Sequence, residues 1–350
     1  MTTIMNKPNI LIVGAGAVGL AVGYHLNLSG ADITFLVREG RKTTFNSPQQ
    51  LYCYDDAKLK NFADFSVIEK VAEMADKQFQ FVIITLDGNS SRTAEGTAML
   101  RKLSDAVRTS KATVIMCGFG LGLREHYLQV MQISEDRLLR GILGMLCHQT
   151  NADLPILAPT DPAQVAKASV CYKHPANKVG FQIETNNKAA AKQFIEIYNR
   201  CEVSLCGQIS PALVNIFSCA SFPIYSACDI AGWPDFSTVV ANKELWRLAC
   251  RAQSEIMTLP RHGLMGKLMA LFLGMRMTAK IHLKLEREML PLGYQAFNRF
   301  HHGGKVRAQD LDAMRHCLAD GQRHGRPMKA LQELMKRLPE HKATSHATAG

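Results

Sequence analysis

Through the first 206 residues, short apolar runs alternate with stretches of helical period. Asn9–Val13, Ile33–Val37, Phe81–Thr85 and Thr113–Cys117 are apolar along almost their whole length and rich in β-branched side chains. Between them lie Ala17–Leu28, stopped by Ser29-Gly30, and a helical segment near Thr93–Arg108. Strands that are apolar on both faces, separated by helices, predict a parallel sheet covered on both sides and built from right-handed βαβ crossovers. The pattern weakens from Gln49 to Phe79 and resumes as strands at Gly141–Cys147, Ala168–Tyr172 and Gly180–Glu184. A helix over Lys188–Arg200 and a strand over Val203–Cys206 close this half. From Ser210 to Leu338 the period is helical almost throughout, cut at Gly232-Trp-Pro, Pro260, Pro291-Leu-Gly, Gly303-Gly304 and Gly325-Arg-Pro. The expected architecture is α/β: a Rossmann-type parallel-sheet domain over 1–206, followed by an all-helical C-terminal domain over 207–340. The polar tail 341–350 reads as disordered.

Composition supports two cores rather than one. The chain has 350 residues, 47% of them hydrophobic and 20% charged. Ten cysteines stand at irregular spacing without a Cys-x-x-Cys pair, which argues against a metal or redox motif and for reduced, buried thiols in the cytoplasm. The run Ile10–Gly23 is too short to span a bilayer, and its four glycines suit a turn better than a targeting helix. Leu264–Met277, apolar but broken by Lys267 and Arg276, is expected to be a buried helix. The net charge is +11, and from Cys206 onward 19 Lys and Arg face 11 Asp and Glu. Those cations alternate with apolar residues, as in Lys280-Ile-His-Leu-Lys284, so they read as solvated helix faces. The expected partners exclude nucleic acid and membrane. A positive field favours a small anionic substrate and a phosphate-bearing cofactor. A homodimer is allowed.

The chemistry begins at Gly14-Ala15-Gly16-Ala17-Val18-Gly19, directly after Ile-Leu-Ile-Val and at the start of a helix. In that context Gly-x-Gly-x-x-Gly is a dinucleotide turn. Gly14 permits the bend, Gly16 lets a pyrophosphate approach the backbone, and Gly19 lets helix and strand pack closely. The amino end of the helix then offers free N–H groups and a positive dipole to phosphate. NAD sites want an acid at the end of the second strand. Here Arg38 follows Val37, which favours the 2′-phosphate of NADP, although Glu39 stands one residue further on.

These residues carry a family resemblance. Ile-Leu-Ile-Val-Gly-Ala-Gly-Ala-Val-Gly, followed by Phe-Leu-Val-Arg-x-Gly-Arg, resembles the ketopantoate reductases (2-dehydropantoate 2-reductases). Met116-Cys-Gly-Phe-Gly-Leu-Gly122, Arg140-Gly-Ile-Leu-Gly-Met-Leu-Cys-His148 and Arg323-His-Gly-Arg-Pro-x-x-x-x-Leu331 continue it. The resemblance implies reduction of a 2-oxo acid by NADPH, with Gly14, Gly16, Ala17, Val18, Gly19, Arg38 and Leu86 at the cofactor. It also marks departures. Leu86-Asp87-Gly88 stands where the family carries a lysine, and Phe119 where it carries an asparagine. Anchored on Pro223, the places of the catalytic lysine and two asparagines hold Val214, Ser218 and Phe222. Gln309-Asp310-Leu-Asp312 occupies the region of the substrate-binding acid, without the Asn-Gly that follows it in the family.

Hydride addition to a carbonyl builds charge on oxygen, so a proton donor must stand within reach. Asn298-Arg-Phe-His301-His302-Gly303-Gly304-Lys305 offers two imidazoles and an ammonium around a glycine hinge, expected to form an exposed turn. The candidate catalytic residues are Lys305, His302 and His148, the last expected at a strand end on the cofactor side of the sheet. The substrate is expected in the cleft at the carboxyl ends of the strands. No metal-ligand spacing is seen. The alternative function is a non-catalytic NADP(H)-binding sensor or scaffold.

Overall fold

The computed structural model describes residues 7–74 and 77–340, so the tail expected to be disordered lies outside the described residues. The chain forms two compact units, Met1–Gly118 with Leu123–Ser210, and Phe119–Gly122 with Pro211–Gly350.

The first unit opens with β1 (Asn9–Val13), α1 (Ala17–Leu28) and β2 (Asp32–Leu36), as the apolar pattern predicts to within one residue. It continues through β3 (Gln49–Cys53), β4 (Lys58–Phe62), β5 (Ser66–Ile68), β6 (Phe81–Ile84), α2 (Gly88–Arg92), α3 (Ala94–Arg108), β7 (Thr113–Met116) and α4 (Leu123–Met131). β8 (Leu138–Leu143), β9 (Leu146–Gln149), α5 (Pro162–Val165), β10 (Val170–Lys173), β11 (Val179–Glu184), α6 (Lys188–Asn199) and β12 (Leu205–Ile209) complete it. Eight strands make one sheet in the order β12-β11-β8-β7-β6-β1-β2-β5. Its central strands are parallel and buried on both faces, which is why they lack polar alternation: Ile10, Leu11, Ile12 and Phe81 to Ile84 are fully enclosed.

A second sheet, β4-β3-β10-β9, was not evident from the sequence pattern. Its edge strand β4 carries Lys58, Lys60 and Asn61, so hydrophobic periodicity is faint there. The stretch expected as one strand over Gly141–Cys147 is in fact split between the sheets. A Cβ on Gly144 would lie 2.2 Å from the Val179 carbonyl oxygen, and the amides of Gly144 and Met145 both donate to the Gly180 carbonyl, at 2.8 and 3.1 Å. The chain therefore leaves β8 at Gly144 and enters the other sheet as β9.

The second unit is helical: α7 (Pro211–Ala220), α8 (Phe222–Ile230), α9 (Phe236–Ala241), α10 (Lys243–Met257), α11 (Gly263–Phe272), α12 (Met275–Glu288), α13 (Tyr294–Phe300), α14 (Arg307–Arg323) and α15 (Lys329–Lys336). Its core gathers Phe222, Phe236, Trp246, Ile256, Cys317 and Leu331. Pro211–Ile230 is long and apolar enough to cross a membrane, yet two-thirds of it is buried in this core. Leu264–Met277, expected as one buried helix, is two helices separated at Gly274, and in α11 only Gly266 is buried. Being apolar around most of its girth, the segment reads as interior, but its packing seats one edge alone.

One buried ion pair clamps β8 to β11. Glu184 is 1% exposed and accepts from Arg140 Nε at 3.1 Å and from the Arg140 amide at 3.1 Å, while Arg124 Nη1 lies 3.3 Å away. Removing the carboxylate leaves two guanidinium groups without it in a low-dielectric site. Glu184→Ala is expected to cost about 3–5 kcal/mol, read as a lowered urea midpoint with an unchanged slope. A loss under about 1 kcal/mol would mean that the pair behaves as an exposed one.

Candidate functional site

The glycine turn stands at the point where strand order reverses. From β1 the chain runs outward through β2 to β5 on one side, and through β6, β7 and β8 on the other. In such sheets the crevice at the carboxyl ends of the central strands is where a ligand binds. Gly14 has φ +97°, a conformation that a side chain disfavours, and its amide donates to the Leu36 carbonyl at 2.9 Å. Thr85 Oγ1, at the end of β6, donates to the Val13 carbonyl at 2.9 Å and so ties a second strand to the turn. A Cβ on Gly19 would lie 2.0 Å from the Gly14 carbonyl oxygen, so α1 touches the turn only because Gly19 has no side chain. A Cβ on Gly16 would meet nothing within 4 Å. α1 has no side-chain cap and no acid in its first turn. The amides of Ala17, Val18 and Gly19 therefore lack a side-chain acceptor beside an open glycine, which fits a bound pyrophosphate.

Arg38 is exposed at the end of β2, in a turn closed by the Arg41 amide donating to the Arg38 carbonyl at 3.1 Å, with Gly40 at φ +81°. Arg38, Arg41 and Lys42 outnumber Glu39 there. Leu86 is half-buried against the apolar layer formed by α3 and β6. The following Asp87 caps α2, its carboxylate accepting from the Ser90 amide at 2.8 Å. A Cβ on Gly118, at the end of β7, would lie 2.9 Å from the Leu86 carbonyl oxygen, so the loops after β6 and β7 meet beside the turn.

His148 does not occupy the expected place. It lies on β9, in the four-stranded sheet, and not at an end of the nucleotide-type sheet. Its ring is 3% exposed, with Nε2 3.0 Å from Tyr54 Oη and Nδ1 2.9 Å from the Gln149 carbonyl. The departure of the chain at Gly144 is the reason. On the same sheet, ligand atoms of Cys53, Asp55 and His174 lie within 4.8 Å of one another. Asp55 is already engaged there by Lys173 and by His174 Nδ1 at 2.8 Å, a satisfied polar cluster. Burial pushes the Asp55 carboxyl up, but these hydrogen bonds outweigh it and hold it well below its ordinary value.

In the helical unit, His301–Lys305 forms not an exposed turn but a widened helical turn joining α13 to α14. The Val306 amide donates five residues back to the His301 carbonyl at 2.8 Å. The two imidazoles face inward, and Gly304 and Lys305 are exposed. Gly303 has no side chain because the Trp233 indole packs there, about 3.0 Å from where a Cβ would stand. His301 stacks on Phe297 at 5.4 Å, and burial holds its pKa well below the ordinary imidazole value. His302 stacks on Tyr225 at 3.8 Å, and its Nδ1 lies 2.7 Å from Asp310 Oδ2. Burial pushes the His302 pKa down to about 3, and the carboxylate acts in the opposite direction. With Nδ1–H donating to Asp310, Nε2 is the free nitrogen. His302 and Asp310 border a cavity of about 20 Å³, room for one water, together with Tyr225, Asp229 and Arg307. Arg307 Nε is 3.4 Å from Asp229 Oδ2.

The sequence pointed to His302 but not to Tyr225, Asp229 or Arg307. They come from α8 and α14, and only folding brings them together. Asp310 alone carried a local signal, eight residues after His302 across one widened turn. The places of the family's catalytic lysine and asparagines are apolar or self-satisfied. Val214 and Phe222 are buried, and the Ser218 hydroxyl donates back to the Val214 carbonyl at 2.5 Å. The Phe119 amide donates to Gln309 Oε1 at 3.2 Å.

The ketopantoate reductase PanE/ApbA family profile matches residues 10–152, the part that carries the glycine turn. No curated protein matches the chain at the level of sequence. Among solved structures, a 2-dehydropantoate 2-reductase from Geobacter metallireducens is similar, with a TM-score of 0.65 at 16% identity over 94% of this chain and 98% of that one. One from Methylococcus capsulatus gives a TM-score of 0.66 at 13% identity, covering 94% of each chain. A D-mandelate dehydrogenase solved with NADH and anilino(oxo)acetate gives 0.62 at 11% identity, over 94% of this chain and 96% of that one. Residues 10–152 thus match the ketopantoate reductase profile, and the chain shares the fold of these solved structures, a Rossmann-like domain followed by helices.

The second and third glycines of the turn should behave oppositely. Gly16→Val should fold with a melting temperature within a few degrees of the parent, since its Cβ enters open space. Gly19→Ala should lose about 1–3 kcal/mol, because its Cβ collides with the Gly14 carbonyl. Thermal and urea melts distinguish them, and equal losses would show that the turn is not held by that contact.

Proposed function

We propose that this protein is an NADPH-dependent reductase of a 2-oxo acid or a related small carbonyl compound. The observation that carries the reading is the glycine turn. Each glycine is positioned for the role that a dinucleotide site needs, at the reversal point of the sheet, within the segment matched by the ketopantoate reductase profile. The cofactor, when bound, supplies the hydride. The chain's own groups do the rest. The first-turn amides of α1 hold the pyrophosphate, and Arg38 pairs with the 2′-phosphate. Lys305 takes the substrate carboxylate. In its imidazolium form His302 gives the Nε2 proton to the carbonyl oxygen as negative charge grows there and returns to the neutral ring, while Asp310 keeps the Nδ1–H. Ten free cysteines, nine of them buried, suit the reducing cytoplasm.

One observation favours a second reading, an NADP(H)-binding sensor without turnover. Val214 and Phe222 put no polar group where the family has a lysine and an asparagine, and the Ser218 hydroxyl is spent on its own helix. NADPH oxidation across a panel of 2-oxo acids separates the two. Turnover with any of them supports the reductase, and tight NADPH binding without oxidation supports the sensor.

Cofactor choice is testable directly. Arg38→Ala should weaken NADPH by about 1–2 kcal/mol, the contact being charged but exposed, and should leave NADH binding nearly unchanged. Equal losses for both would remove Arg38 from the 2′-phosphate. Gly16→Val should bind neither cofactor.

The proton donor has a pH signature. A general acid must be protonated to act, and burial lowers the His302 pKa below the usual 6.5. The rate of reduction should therefore rise as pH falls, with its limb below 6.5. His302→Gln should lower kcat and abolish the limb. Lys305→Ala should chiefly raise KM, because a carboxylate contact stabilises ground and transition states alike. A kcat of His302→Gln equal to that of the parent would assign the proton to another group.

A further inference from the structure

We infer that α11 is the self-association surface of this protein and that its occupant is α11 of a second copy. The helix spans Gly263–Phe272, and its single buried residue is Gly266. A Cβ on Gly266 would lie 2.0 Å from the Met257 carbonyl oxygen, so the glycine seats the helix flat against the end of α10. Successive residues turn by about 100°. Leu264, Leu268, Leu271 and Phe272 therefore share an arc of about 100° on the side opposite Gly266. Their exposures are 72%, 51%, 83% and 59%, and Met265 at 40% and Met275 at 38% extend the patch.

At about 200 Å² per large apolar residue, these fractions amount to about 700 Å² of exposed surface on one copy. The largest apolar patch on an ordinary monomer is about 300–600 Å². Two such patches together bury on the order of 1,400 Å², within the range of a specific interface. Spacing identifies the partner as a helix. Leu264, Leu268 and Leu271 follow one another at intervals of four and three, the spacing of a seam between two packed helices. The exposed Lys267 stands at the margin of the arc, with Arg261 and Arg276 at the helix ends, the polar rim that such interfaces carry. A self-complementary patch on one face gives a two-fold dimer, in which each copy contributes the same residues.

The inference does not depend on the proposed reaction, and its test is separate. Sedimentation equilibrium of the full chain across micromolar concentrations should show a dimer. Leu268→Glu/Leu271→Glu should raise the dissociation constant by about a hundredfold or more. Both positions are solvent-facing, so the variant should keep the far-ultraviolet circular dichroism and NADPH affinity of the parent. Leu271→Cys should form an intersubunit disulfide under mild oxidation, while the native cysteines, nine of them buried, do not. A monomer at every concentration overturns the inference, as does a dimer that persists in the double glutamate variant. A monomer that instead co-sediments with vesicles of anionic phospholipid overturns it too, and assigns the face to a membrane surface.

Discussion

The contact between α1 and the turn before it governs the first unit. The two come together only because Gly19 places no side chain against the Gly14 carbonyl. With the helix seated there, its first-turn amides face the crevice at the strand ends. Thr85 and Leu36 then brace the turn from the neighbouring strands. The open space at Gly16 is the consequence: the backbone is held close by Gly19 and left bare at Gly16. The turn thus presents backbone groups rather than side chains to the crevice, which is why it needs small residues at fixed spacing.

The helical unit obeys the opposite logic. Its candidate group is a side-chain assembly, His302 held by Asp310 and stacked on Tyr225. Burial disfavours the imidazolium and outweighs the neighbouring carboxylate, so His302 rests as the neutral ring. Asp229 and Arg307 pair beside it, and the Trp233 indole donates to Asp229 at 3.0 Å. Where a lysine and asparagines are expected from the family resemblance, the chain has put packing instead. The burial of Val214 and Phe222 shows that the first two helices of this unit serve its core.

Much of the first unit was legible because its strands are apolar on both faces and its helices are punctuated by glycine and capping residues. β1 and α1 fall on the expected residues, and β6 and β7 within one residue of them. The four-stranded sheet was not legible, since its edge strand β4 mixes Lys58, Lys60 and Asn61 with apolar residues and its pairing of β3 with β10 joins segments far apart in the chain. The switch of sheet at Gly144 was hidden for a related reason. A glycine flanked by apolar residues reads as a continuous strand, and only the Gly180 carbonyl, which accepts two amides there, decides the bend. The misplacement of His148 follows from that single bend.

The amino-acid sequence by itself determined the glycine turn, because that feature is local: six consecutive residues carry its conformation, its open face and its close packing. It also determined the class of each half, since hydrophobic period reports which faces are covered. Tertiary structure alone decided which face of α11 meets solvent. An apolar helix has the same sequence signature in a core as on an exposed interface, and the difference lies in what packs against it. It likewise decided that His302 is turned inward onto Asp310 and Tyr225 rather than outward on a loop. Burial and partnership are properties of residues far apart in the chain, and no local spacing encodes them.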